Sequence, residues 1–307
     1  MRLSTDANGW RVEYPFVSRF LELEPGVRMH YIDEGPKKDS AATILCVHGN
    51  PTWSFYYRSI VSRFSVSGFS EPCRVVAVDH IGCGLSDKPQ RYRYSLAQHT
   101  ANLVRLIEVL NLQNITMVVH DWGGAIGLGA AVEQTDRFRS LMVLNTAAFP
   151  PPYIPRRIAA CRIPYFGSWA ICYLNAFARA ASVMAIDRLP KLSNNARDGL
   201  LAPYDSPRNR VAIDGFVQDI PMSPKHPTWN VLTQLELALP KLSGLPIRFV
   251  WGMRDWCFRP ECMERMNLAW PSASRRELSD VGHYVMEEAP TEVLEELEKL
   301  VHGQPST

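Results

Sequence analysis

Val119-His120-Asp121-Trp122-Gly123-Gly124 lies between a β-branched run, Ile115 to Val119, and a helix of small residues, Gly123 to Val132. Small residues after a strand allow a tight, strained turn that presents one side chain, and the side chain presented here is Asp121. A carboxylate is ionised at neutral pH and needs no base to attack, which suits displacement at saturated carbon and a covalent ester. Asp before a helix is also a common N-cap, so the motif alone leaves both readings open.

Working outward, strand-length apolar runs alternate with amphipathic helices. Phe20 to Leu23 and Arg28 to Ile32 flank the Pro25-Gly26 turn as a hairpin. Thr43 to Val47, Arg74 to Val78 and Leu141 to Leu144 read as strands, and Trp53 to Phe64 and Ser95 to Leu110 as helices, the latter opened by Ser95 and Gln98 in capping-box spacing. The pattern resumes with Ile247 to Trp251 and Arg275 to Leu278 as strands, Pro260 to Ala269 as a helix, and Thr291 to Val301 as a helix stopped by Gly303. Repeats of this kind predict a mostly parallel sheet covered on both faces. Between residues 150 and 240 lie 12 of the 23 prolines, with Ala-rich and aromatic segments and no short β-branched runs. The expected organisation is therefore an α/β core over residues 1–145 and 231–307, interrupted by a helical cap over 146–230.

Of the 307 residues 46% are apolar and 21% charged, which excludes disorder and coiled coil. Lys and Arg number 33 against 31 Asp and Glu, dispersed along the chain, so neither nucleic acid nor an anionic membrane surface is expected as a partner. Seven cysteines without a C-x-x-C pair or His-rich spacing read as reduced, mostly buried thiols, with no metal and no cofactor. Arg2, Asp6, Arg11 and Glu13 leave no apolar signal region, and a cytoplasmic location is expected. Ile163 to Ala178, uncharged between Arg162 and Arg179, falls short of the roughly 20 apolar residues a membrane span needs. It reads as a buried or pocket-lining helix.

In open α/β sheets the loops after the strands bind ligands. His283 follows the last strand and could activate water; Asp255 follows the next-to-last and could orient that histidine. His48-Gly49-Asn50-Pro51 follows Thr43 to Val47, and its backbone N–H groups could join that of Trp122 in an oxyanion hole. A loop histidine, a solvated aspartate and a Gly-Pro turn are the plainer alternatives taken singly. Together the order nucleophile, acid, histidine is that of α/β-hydrolases.

At His48-Gly49-Asn50-Pro51-Thr52-Trp53-Ser54, Asp79 to Pro89, His120-Asp121-Trp122-Gly123-Gly124 and Gly282-His283-Tyr284 the chain resembles the haloalkane dehalogenases of the α/β-hydrolase superfamily, third subfamily. These segments spread over nearly the whole chain. The resemblance implies Asp121 as nucleophile, His283 as base, Asp255 as acid, and Trp122 with Asn50 as the halide-binding pair. It implies hydrolysis of a small neutral halogenated substrate to alcohol, halide ion and proton through an ester on Asp121. Some relatives place the acid after the strand ending at Leu144, where this chain has Asn145. The β-lactone decarboxylases of olefin biosynthesis resemble the same subfamily and keep the triad. An epoxide hydrolase would need tyrosine hydroxyls from the cap, with Tyr153, Tyr165, Tyr173 and Tyr204 available. A fluoroacetate-type enzyme would carry arginine where Trp122 stands, and a non-enzymatic ligand-binding protein is a further alternative. Phe166, Trp169, Phe177 and Phe216 could line the pocket or pack the cap; a homo-oligomer stays open.

Overall fold

A computed structural model describes residues 9–37, 42–65 and 72–302. Arg2, Asp6 and the helix stop at Gly303 lie outside the described residues. One eight-stranded sheet runs through the molecule in the order β1-β2-β4-β3-β5-β6-β7-β8: β1 (Arg19–Glu24), β2 (Val27–Glu34), β3 (Thr43–Val47), β4 (Arg74–Val78), β5 (Ile115–Asp121), β6 (Phe138–Thr146), β7 (Ile247–Gly252) and β8 (Ser274–Leu278). β2 pairs antiparallel with β1 and with β4, and every later pairing is parallel. β3 and β5 are buried along their whole length, as strands covered on both faces must be.

The helices are α1 (Arg58–Phe64), α2 (Leu96–Val109), α3 (Trp122–Glu133), α4 (Arg156–Ala160), α5 (Phe166–Leu174), α6 (Ala176–Met184), α7 (Asn194–Leu201), α8 (Val211–Asp219), α9 (Pro227–Ala238), α10 (Pro260–Asn267), α11 (Val285–Glu288) and α12 (Pro290–His302). α2 presents Leu103, Leu106 and Ile107 to a core shared with α3, while α12 covers the other face with Val293, Leu297 and Leu300. Between β6 and β7 the described chain forms helices, α4 to α9, joined by loops and short 3-10 turns and no strand, as its prolines and missing β-branched runs predict.

Two readings of the sequence are corrected. Trp53 to Phe64 is not one helix: a 3-10 turn at Ser54–Tyr57 precedes α1. Ile163 to Ala178 is not one buried helix either. Asn175 takes a left-handed conformation (φ 53°) that ends α5 and begins α6, and the outer face of α5 is exposed. No helix among the described residues is long and apolar enough to cross a membrane. All seven cysteines are free, four of them buried.

Candidate active site

Because β3, β5, β6, β7 and β8 are parallel neighbours, their carboxyl-end loops converge on one place. β5 extends to Asp121 itself, and α3 starts at the next residue. The reversal is made in one residue: Asp121 has φ 53°, strained for a side chain with a Cβ. Its side chain makes no helix-capping bond, so the N-cap reading does not describe it. Two glycines permit the turn. A Cβ on Gly49 would sit 2.0 Å from Asp121 Oδ1, and one on Gly123 would sit 2.1 Å from the Val47 carbonyl oxygen.

The Asp121 carboxylate is buried and held by two backbone N–H groups. Asn50 N donates to Oδ1 at 2.6 Å, and the backbone N–H of Trp122 donates to the same carboxylate. The other oxygen, Oδ2, faces His283 Nε2 at 3.7 Å, too far for a hydrogen bond. Burial raises the Asp121 pKa above its ordinary value, against the opposing pull of His283 and the two backbone N–H groups.

His283 Nδ1 lies 2.8 Å from Asp255 Oδ2. Burial depresses the imidazolium, but the charge and hydrogen bond of Asp255, with Asp121 and Glu288 adding, lift His283 above its ordinary value. Asp255 is itself fixed: Oδ1 accepts from Cys257 N at 2.7 Å, and Oδ2 accepts from Asn145 Nδ2 at 3.0 Å. Asn145 also receives Gly252 N at 2.8 Å, clamping the end of β6 to the end of β7. Sequence reasoning noted Asn145 only for the carboxylate it lacks; its place after β6, beside a loop bearing Asp255, was the available signal. His120 was missed as well. Its Nε2 meets the His283 carbonyl oxygen at 2.8 Å, and its ring lies 4.5 Å from that of His283.

All five residues singled out from the sequence are thus brought together, with Asn50, Trp122, Asp121 and His283 lining one cavity of about 320 Å³ and Asp255 buried behind His283. The walls are largely apolar, with Phe149, Tyr153, Phe177, Trp256 and Phe258 prominent. Of the four cap aromatics considered, Phe177 lines this space. Phe216 is buried behind it, 5.5 Å ring to ring from Trp122, whereas Phe166 and Trp169 are exposed. One amide hydrogen of Asn50 goes to the Ile213 carbonyl at 3.2 Å, which leaves the second for another acceptor. Among the described residues no cluster of three or more His, Cys, Asp or Glu is arranged to hold a metal.

An aspartate on a strained strand-to-helix turn, faced by a histidine that a second aspartate orients, defines an α/β-hydrolase site. Residues 42–290 match the family model described as alpha/beta hydrolase fold. Within that superfamily the chain belongs to the haloalkane dehalogenase family. It is similar to the cis-3-alkyl-4-alkyloxetan-2-one decarboxylases of Shewanella oneidensis (37% identical over 91% of this chain and 86% of the relative) and Xanthomonas campestris pv. campestris (38%, over 90% and 92%). It is also similar to the haloalkane dehalogenase of Mycolicibacterium paratuberculosis (34%, over 79% and 78%). Among solved structures, the tetrameric haloalkane dehalogenase DpaA from Paraglaciecola agarilytica NO2 superposes with a TM-score of 0.76 at 28% identity, covering 92% of each chain.

Proposed function

We propose that the protein is an enzyme that alkylates Asp121 with a neutral apolar substrate carrying an anionic leaving group, and that its substrate is a cis-3,4-dialkyl oxetan-2-one. The likeness to two oxetanone decarboxylases, 37% and 38% identical, exceeds the likeness to the dehalogenases, 34% and 30% identical, and carries this choice of substrate. Asp121 Oδ2 attacks C4 of the ring in line, forming the Oδ2–C4 bond while the ring C4–O bond breaks and leaves a carboxylate on C3. That anion lies toward Trp122 and Asn50, whose N–H donors suit negative charge. The C3–carboxylate bond then breaks, its electron pair forms the C3=C4 double bond, and the Oδ2–C4 bond returns its pair to Asp121. The products are an alkene and carbon dioxide, with Asp121 regenerated and no water consumed. The backbone N–H groups of Asn50 and Trp122 that donate to the Asp121 carboxylate favour its departure as an anion. Residues 146–230 act as the cap that excludes water from the intermediate.

Haloalkane hydrolysis is the second reading, favoured by the side chains of Trp122 and Asn50 at the same cavity. There halide leaves from the attacked carbon, and water activated by His283, oriented by Asp255, opens the ester to give an alcohol. An epoxide hydrolase has less support: Tyr165 and Tyr173 are exposed, Tyr204 is buried outside the cavity, and Tyr153 donates its hydroxyl to the Cys257 carbonyl at 2.9 Å.

Turnover of a cis-3,4-dialkyl oxetan-2-one and of 1-iodobutane in H₂¹⁸O separates the readings. Alkene without label, from the first substrate and lost in Asp121→Asn, is the expected result. Labelled alcohol from the haloalkane with an inert oxetanone would overturn it in favour of the second.

A further inference from the structure

From Thr146 to Ile186 the chain carries four arginines and no Asp or Glu. That stretch includes α4, α5 and α6, and it exposes an unusual set of apolar side chains. Tyr165 is 94% exposed, Phe166 58%, Trp169 47% and Tyr173 64%, with Ile163 and Leu174 also half exposed. Phe166, Trp169 and Tyr173 are spaced three and four residues apart, so they form one stripe along α5. The opposite side of the helix buries Ile171 against Ile213 and Val217 of α8, so the outer stripe is not needed for packing. Tyr165 stands just before α5 and adds its ring to the same exposed set.

The arginines complete the pattern. Arg162 is consumed inside, donating to the carbonyls of Val217, Gln218 and Ile220 at the end of α8. Arg156, Arg157 and Arg179 are exposed, and none forms an ion pair with a carboxylate among the described residues. The acidic side chain tied to α5 is Asp214, which accepts from Ser168 and Gln218. An exposed aromatic stripe flanked by cations without a carboxylate partner, of which Arg157 lies over the Trp256 ring, and a chain free of acid for 41 residues are complementary to an anionic lipid surface, where indole and phenol rings sit at headgroup depth.

The cavity opens through the same stretch. Of its lining residues the exposed ones are Pro152, Arg157 and Ala180. We propose that α5 and its flanking arginines dock the enzyme on an anionic bilayer, with the mouth of the cavity facing the lipid. A dialkyl oxetanone or a long haloalkane partitions into hydrocarbon, so a docked mouth takes the substrate from where it is concentrated; this purpose, though not the docking itself, rests on the proposed function.

Flotation of the full chain with vesicles tests the docking without any turnover. The protein is expected to float with vesicles of phosphatidylglycerol and phosphatidylethanolamine, and to stay in solution with phosphatidylcholine alone or in high salt. Arg156→Gln and Arg179→Gln are each expected to weaken binding about fivefold, and Trp169→Ala with Tyr173→Ala by roughly tenfold or more. Circular dichroism and turnover of a short soluble substrate are expected to stay at wild-type values in all of them. Failure to float on anionic vesicles, or flotation unchanged by these substitutions, overturns the proposal. So does a concentration-dependent self-association, seen by sedimentation velocity, that Trp169→Ala with Tyr173→Ala abolishes, because a second copy then covers the stripe. Loss of turnover on the soluble oxetanone with flotation intact counts against the proposed function alone.

Discussion

Asp121 shows how much one residue's backbone decides. Its left-handed φ turns the carboxylate into the cavity, where Gly49 leaves just enough room for Oδ1 to reach Asn50 N. Gly49→Ala is therefore expected to lower kcat for any substrate of this site by at least about a hundredfold, since a displaced reacting atom loses its alignment. Circular dichroism should show the fold retained; an active Gly49→Ala protein would mean that Oδ1 is not held there during turnover. His283 supplies a pH prediction. Its pKa stands above the ordinary 6.5 and it must be neutral to activate water, so haloalkane hydrolysis is expected to fall on the acid side with a midpoint above pH 6.5. Oxetanone decarboxylation uses no base and is expected to keep its rate across that midpoint, which pH–rate profiles for both substrates can compare. Asp121, Asp255 and His283 were legible because each follows a strand in a fixed order. The hold of Asn145 on Asp255 was not, because that contact spans 110 positions and no local pattern encodes it.

At the scale of elements, helix and strand periods are local and most segments are found near where they were read. The boundaries that moved did so for nameable reasons. β5 and β6 run longer than their apolar runs because they go on pairing with each other past their last rungs to β3 and β7, ending with Asp121 opposite Thr146, and that pairing supports a residue of weak strand propensity, Asp121. α2 begins where its capping box places it, with Ser95 Oγ accepting from Gln98 N at 3.4 Å. At that length Ser95→Ala is expected to cost about 0.5 kcal/mol in urea denaturation, the low end for an N-cap. α12 carries a buried carboxylate, Glu296, paired with Arg248 of β7. Glu296→Gln leaves the guanidinium without its buried partner and is expected to destabilise the fold by about 3 kcal/mol. An unchanged urea midpoint would show that water reaches Arg248 in the native state.

For the molecule as a whole, the cavity sets which substrates fit. Ala181 lines it from α6, and Ala181→Phe is expected to lower kcat/KM for long-chain substrates at least about tenfold more than for short ones, read from a chain-length series. A uniform loss along the series would place Ala181 away from the substrate's path. The alternation of strand and helix and the chemistry of each strand-end loop were determined by the sequence alone, since both rest on residue type and short-range spacing. Which of those loops meet, which cap aromatics face the cavity, and which stand exposed on α5 were decided only by the tertiary structure. Those outcomes depend on strand order and on how α5 and α6 turn at Asn175, and both are settled by packing between residues far apart in the chain.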